Sequence, residues 1–253
     1  MLKNNKIFKT SDLQKLDKYT IENEPVTSLD LMERAATVFT EKLLIFFPNS
    51  HIFNILAGSG NNGGDGYVVA RLLYQNGLNV KVFGLHENDH LSPNCAVNRA
   101  RFINQGGTYI EVKNPDNLQP DENSVLVDAI FGAGLNRPVT GFLGDIIRRI
   151  NGLSHPVVAI DMPSGLMGED NGENNGAIIK ADYTFTFQFP KLAFMFPENV
   201  VYVGHWEVLD IRLHPIILRE YPATYYYLTE EVVTSRLLIQ AKFSHKGNLG
   251  NTL

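Results

Sequence analysis

Ile52-Phe53-Asn54-Ile55-Leu56-Ala57-Gly58-Ser59-Gly60-Asn61-Asn62-Gly63-Gly64-Asp65-Gly66-Tyr67 is the stretch whose reading decides the fold. A short apolar run stops abruptly in glycines, and a helical pattern resumes from Tyr67 to Gln75, so the segment reads as strand, turn, helix. Successive amides in such a turn, with the positive end of the helix it opens, can wrap a phosphate; the plain alternative is a tight connection and nothing more.

Downstream the same alternation repeats. Strands are expected at Val80 to Leu85, Thr108 to Val112, Val125 to Ile130 and Val157 to Ile160, with helices at Pro93 to Gln105 and Phe142 to Ile150. Strands that alternate with helices argue for an α/β sandwich of three αβα layers, Rossmann-like, around a mostly parallel central sheet. From Asp182 to Asp210 the chain is strand-like and aromatic, with Phe185, Phe187 and Phe189 alternating, which extends the sheet.

Upstream, Leu13, Leu16 and Tyr19 recur at helical spacing, as do Met32, Ala35, Ala36, Phe39, Leu43 and Phe46. Two N-terminal helices packed on the sheet are expected; their apolar residues either cover it or form a homodimer face. Thr27 with Asp30 forms a capping-box pattern, and Pro48 stops the second helix. From Tyr225 onward the pattern breaks down, so residues 1–228 are read as the domain and 229–253 as a linker with the start of something else.

Composition narrows the function classes. With 253 residues, 44% of them hydrophobic, one sizeable domain can fill its core. A net charge of −5 leaves no diffuse basic surface for a nucleic acid or an anionic membrane, so an anionic ligand must be gripped locally. The single Cys95 excludes an intramolecular disulfide and a cysteine metal cluster, and no signal-like or membrane-spanning apolar run is present. The expected compartment is the cytoplasm.

Ligands of an open parallel sheet bind beyond the carboxyl ends of its strands, where three loops converge. The first is Gly58 to Gly66; the second runs from Asp128 through Gly132-Ala133-Gly134-Leu135-Asn136-Arg137-Pro138; the third is Asp161-Met162-Pro163-Ser164-Gly165. Gly58-x-Gly60-x-x-Gly63 formally matches the dinucleotide fingerprint, but the next strand ends in Val82-Phe83-Gly84 without the acid that would bind a ribose, so hydride transfer is disfavoured. Asp65 reads as a cap of the following helix ahead of any role in catalysis. Asp128 and Asp161 either cap their own loops or, with Asn62 and Ser164, offer hard oxygen donors and acid-base chemistry. Lys191 reads as a snorkelling surface lysine ahead of a ligand contact. The His residues show no metal-binding spacing.

Asn61-Asn62-Gly63-Gly64-Asp65-Gly66, Asp128 with Gly132-Ala133-Gly134, and Asp161-Met162-Pro163-Ser164-Gly165-Leu166, in that order, resemble the YjeF N-terminal domain family, the NAD(P)HX epimerases. The resemblance spans roughly Ile7 to Leu213. It implies an often dimeric protein that epimerises NADHX and NADPHX, hydrated NADH and NADPH, at the hydroxylated ring carbon. Carried across by motif, Asn61, Asn62, Gly63, Gly64, Asp65, Gly132, Ala133, Gly134, Leu135, Asn136, Arg137, Pro138 and Asp161 would contact substrate. Asp161 would be catalytic, and Asn62, Asp128 and Ser164 would hold potassium. Met167 departs from the family, where Asp is common, which puts the path of that loop in question. Lys242-Phe243-Ser244-His245-Lys246-Gly247-Asn248-Leu249-Gly250 resembles the entry into an NAD(P)HX dehydratase domain of ribokinase-like fold, so a chain cut short there, without dehydratase activity, is expected. The same fold also serves relatives that act as binding modules, the rival expectation.

Overall fold

The computed structural model describes residues 5–86 and 90–236; the resemblance at Lys242 to Gly250 lies outside them. The chain runs β1 (Lys6–Ile7), α1 (Thr10–Asn23), α2 (Ser28–Phe46), β2 (Ile52–Ala57), α3 (Asn61–Gln75), β3 (Asn79–Gly84), α4 (Pro93–Asn104) and β4 (Thr108–Glu111). It continues with β5 (Val125–Ala129), α5 (Gly141–Asn151), β6 (Val157–Ile160), β7 (Tyr183–Phe187), α6 (Val200–Val203) and β8 (His205–Leu209). α7 (Pro215–Glu220), β9 (Tyr225–Tyr226) and α8 (Glu230–Arg236) follow.

Seven strands form one sheet in the order β4-β3-β2-β5-β6-β7-β8, and every neighbouring pair is parallel. Both faces are covered, which is why the strands read as nearly unbroken apolar runs. Phe53, Ile55, Val125, Val127, Val158 and Ile160 point to one face and pack with Phe39 and Leu43 of α2, Val69 and Leu73 of α3, and Phe102 of α4. Leu56, Leu126, Val157 and Ala159 point to the other, against Ile146, Ile147 and Ile150 of α5. α2 therefore spends its apolar stripe on the sheet. α1 sits at one remove: Leu16 joins a third cluster with Phe8, Leu31, Ala35, Phe189, Ile211 and Leu213.

The capping box forms, with the Thr27 amide donating to Asp30 Oδ2 at 2.8 Å and the Asp30 amide donating to Thr27 Oγ1 at 3.2 Å. The strand-like stretch from Asp182 resolves into β7, short helical turns and β8; the aromatic alternation ends at Gln188, whose φ of 59° turns the chain out of the strand. Past Tyr225 the structure adds what the pattern did not show: β9 pairs antiparallel with β1, and α8 follows. No helix among the described residues is long and apolar enough to cross a membrane.

Strand order reverses between β2 and β5, since β3 lies on one side of β2 and the chain returns on the other. A crevice opens at such a point beyond the strand ends. Here it is closed tightly from below: a Cβ on Gly63 would stand 2.0 Å from the Gly58 carbonyl oxygen, and one on Gly58 would stand 2.2 Å from that of Ile130. Glycine at both positions lets α3 seat against the ends of β2 and β5.

Candidate active site

Asn61 to Gly66 are not a loop ahead of the helix, as the glycine content suggested, but its first turns. The Gly64 amide already bonds to the Gly60 carbonyl at 3.1 Å, so the free amides are those of Asn61, Asn62 and Gly63 at the helix start. Ser92 Oγ donates to Asn61 Oδ1 at 2.8 Å and fixes that side chain. The reading of Asp65 as a cap is corrected. Gly60 is the N-cap and no side chain caps the helix, because α3 begins four residues before Asp65.

The amides open on a cleft of about 650 Å³ whose lining includes Asn61, Asn62, Asp65, Gly132, Ala133, Gly134, Leu135, Asp161 and Lys191, with α1 and α2 as a further wall. Gly63 and Gly64 are buried beneath it. Asn136, Arg137 and Pro138 do not line it, and neither do Asp128 and Ser164, which lie fully buried.

Asp128 at the end of β5 accepts from the Ser164 amide (2.7 Å), the Ser164 hydroxyl (2.5 Å) and the Ile130 amide (3.2 Å). Ser164 Oγ in turn accepts from the Phe131 amide at 2.8 Å, which ties the second and third loops together. Burial pushes the Asp128 carboxyl up to about 6, against the opposing pull of Ser164 and the Ile130 amide. None of the ion pairs among the described residues includes Asp128. Asn62 stands against the second loop: its Oδ1 lies 3.1 Å from where a Cβ on Gly132 would stand, and its Nδ2 is buried without a hydrogen-bond partner. Among the described residues no three His, Cys, Asp or Glu side chains gather as a divalent or transition metal would require.

Asp161 follows β6 with φ at 64°, a left-handed conformation that Asp tolerates better than most and that marks strained, functional backbone. Its Oδ1 accepts from Thr186 Oγ1 (3.1 Å), the Phe187 amide (3.1 Å) and Lys191 Nζ (2.7 Å), while Oδ2 takes none of these bonds. Lys191 is the clearest correction to the sequence reading. It is 1% exposed, and its ammonium donates also to Thr186 Oγ1 (2.8 Å) and the Phe189 carbonyl (3.1 Å). The expectation of a surface lysine rests on the cost of burying an ammonium; three acceptors, one of them charged, offset that cost here.

Three more carboxyls line the cleft: Glu22 near the end of α1, Asp65 and Asp17. Asp65 is held well above the usual carboxylate range by burial, then by the charges of Asp161 and Asp17. Asp17, on α1, is pushed up to about 6 by burial and then by Asp161, with Lys191 opposing. Sequence reasoning missed Asp17, yet a signal existed: it stands four residues after Leu13 and beside Leu16, on the flank of the apolar stripe of α1. The loop beyond Ser164 is fixed despite Met167, whose amide donates to Asn171 Oδ1 at 2.9 Å while Asn171 Nδ2 donates to the Met167 carbonyl at 2.8 Å.

Comparison with known proteins bears on what such a cleft serves. Residues 28–193 match the family described as YjeF-related protein N-terminus. An NAD(P)H-hydrate epimerase of Weissella koreensis is 39% identical over 206 residues, covering 80% of this chain and 90% of its own. A bifunctional NAD(P)H-hydrate repair enzyme of Thermofilum pendens is 34% identical over 98% of this chain and 47% of its own length. The crystal structure of the yeast protein ynu0 superposes with a TM-score of 0.69 at 21% identity, over 89% of this chain and 97% of that one, which supports the fold.

Proposed function

From the premise that this chain belongs to the family of YjeF-related protein N-termini, we infer that it is an NAD(P)H-hydrate epimerase, an isomerase that interconverts the R and S forms of hydrated NADH and NADPH in nucleotide repair. The observation that carries the reading is the single cleft in which the free amides of α3 and the Lys191-held carboxylate of Asp161 meet.

The carbon to be inverted bears a hydroxyl and the ring nitrogen. Such a carbinolamine loses water to an iminium, or opens to an aldehyde, without a strong base; either way protons move at its oxygen. Asp161 is the carboxylate for that traffic, with Oδ1 tied down and Oδ2 left for the substrate. The pyrophosphate belongs at the start of α3, where amides and the helix dipole favour an anion, and this local site is why a net charge of −5 is no obstacle. Asn61 to Asp65 and Gly132 to Pro138 are read as the substrate-contacting segments, of which the stretch to Leu135 faces the cleft.

The potassium reading fits the donor set. A buried carboxylate with no ion pair, a serine hydroxyl and a buried Asn62 amide atom without a partner would hold a monovalent cation; turned over, that amide presents an oxygen. Such an ion would supply positive charge to offset a buried carboxylate and an anionic ligand. The match of the bifunctional enzyme to 98% of this chain supports reading residues 229–253 as a linker into a second, dehydratase domain.

The test is conversion of the isolated R epimer of hydrated NADH to the S epimer in potassium buffer, followed by chromatography against a protein-free blank. Acceleration above the blank is expected. Ligand binding by folded protein without acceleration would make the chain a binding module.

A further inference from the structure

We propose that Asp17, carried into the cleft by α1, is a second proton-transferring carboxyl of the reaction and works with Asp161; this rests on the epimerase reading above. α1 lies outside the segment, residues 28–193, that matches the family.

Asp17 has hydrogen-bonding capacity that the protein leaves unmet. Among the described residues its carboxyl makes no hydrogen bond and no ion pair, although protein crowds it. Asp12, five residues earlier on the same helix, shows the ordinary arrangement: it accepts from Lys15 Nζ at 2.8 Å and from the Tyr221 hydroxyl at 3.0 Å. A half-buried carboxyl with no protein donor, lining the same cleft as a held carboxylate, calls for a ligand to complete it.

The helix that carries it is rigidly held. Leu16 and Thr20 on either side of Asp17 are fully buried, and Thr20 Oγ1 accepts from the His214 amide at 3.0 Å. At its start α1 is clamped by Glu169, which accepts from the Thr10 amide at 2.6 Å and from its hydroxyl at 3.1 Å. The Asp17 carboxyl is therefore presented by a fixed wall.

The chemistry gives such a group work to do. By the dehydration route, inversion requires the oxygen to leave one face of the ring and return to the other, so groups on two walls serve it better than one. The Asp17 carboxyl gives its proton to the hydroxyl; the C–O bond breaks with its electron pair on departing water, and the ring-nitrogen lone pair forms the C=N bond. Water adds from the opposite face, the C=N pair returns to nitrogen, and Asp161 takes the proton. Passing that proton back to Asp17 restores the starting state with no net change. Burial and the neighbouring Asp161 charge keep Asp17 protonated to higher pH than an ordinary carboxyl, as a donor must be. The charged groups facing it are Lys18 and Glu22 on α1, Asp65 on α3, Asp161 after β6 and Lys191 after β7; no charged residue of α2 lines the cleft.

The experiment compares wild type and Asp17→Asn by kcat/KM for the R epimer between about pH 5 and pH 8, with thermal unfolding of both. Expected are a loss of about a hundredfold or more, disappearance of the fall in rate above about pH 6, and unfolding at the same or a higher temperature. The last point separates proton transfer from a structural role, which would lower stability. An Asp17→Asn activity within about threefold of an active wild type, or an unchanged alkaline limb, overturns the assignment of Asp17 alone. An inactive wild type overturns the epimerase reading and this one with it.

Discussion

Lys191 Nζ sits 2.7 Å from Asp161 Oδ1 and shares Thr186 with it, so the ammonium neutralises and orients one oxygen of a carboxylate that lines the cleft, while Oδ2 takes none of these bonds. The pair is buried on the lysine side, with side-chain exposures of 1% and 13%. Replacing Lys191 by Met leaves Asp161 without its counter-charge. The expected result is a destabilisation of about 3–5 kcal/mol in urea titration, as for other broken buried pairs, together with lost turnover. A Lys191→Met protein as stable as wild type would show that the pair is not the clamp described here.

Asp161→Asn keeps the shape and removes the charge. The amide oxygen can still meet the Phe187 amide, Thr186 and Lys191, but the buried ammonium loses its counter-charge, so a fold kept at a cost of several kcal/mol is expected while kcat falls by about two to four orders of magnitude, the usual worth of a general acid or base. Circular dichroism with the chromatographic assay reads both halves of the expectation; unchanged turnover would move the proton traffic to another group.

Asp128 gives a pH-dependent test of the cation. Its carboxyl titrates at about 6 in the folded chain against an ordinary value of 3.8, so the folded state holds a proton that the unfolded chain has released. Stability from this group therefore falls as pH rises from 3.8 to about 6 and stays reduced above that. A bound monovalent cation would remove the penalty only where the carboxylate is charged. Potassium should then raise Tm by a few degrees at about pH 7.5 and by little at about pH 4.5, relative to the same concentration of a bulky organic cation. Equal melting in both salts at neutral pH would remove the site.

What the sequence shows follows from which forces act locally. β2, β5 and β6 are legible because both faces of each strand are buried, and Asp128 and Asp161 are legible because a carboxylate at the end of such a run stands out. The early start of α3 is hidden, since glycine disfavours helix and only the contact of Gly63 with Gly58 reveals why the chain coils there. β1 and β9, two residues each, carry no period to detect. Lys191 is misread as a surface residue and Asp17 is missed for one reason: both are charged types whose prior is solvent, and their burial depends on side chains distant in sequence, Thr186 with Asp161 for one and the wall of the cleft for the other.

The seating of α3 yields a contrast between two glycines three residues apart. A Cβ on Gly63 would lie 2.0 Å from the Gly58 carbonyl oxygen and 2.7 Å from its carbon, backbone that cannot rotate away. A Cβ on Gly60 would meet nothing within 4 Å, and its φ of −85° suits any residue. Gly63→Ala must lift the helix start from the strand ends, so a loss of at least about 2 kcal/mol is expected, with weakened binding of a nucleotide pyrophosphate. Gly60→Ala should cost under about 1 kcal/mol, since alanine is only a poorer N-cap than glycine. Chemical denaturation of both variants beside wild type measures the difference. Equal losses would mean that the close approach of α3 to β2 is not what holds the phosphate-facing amides in place.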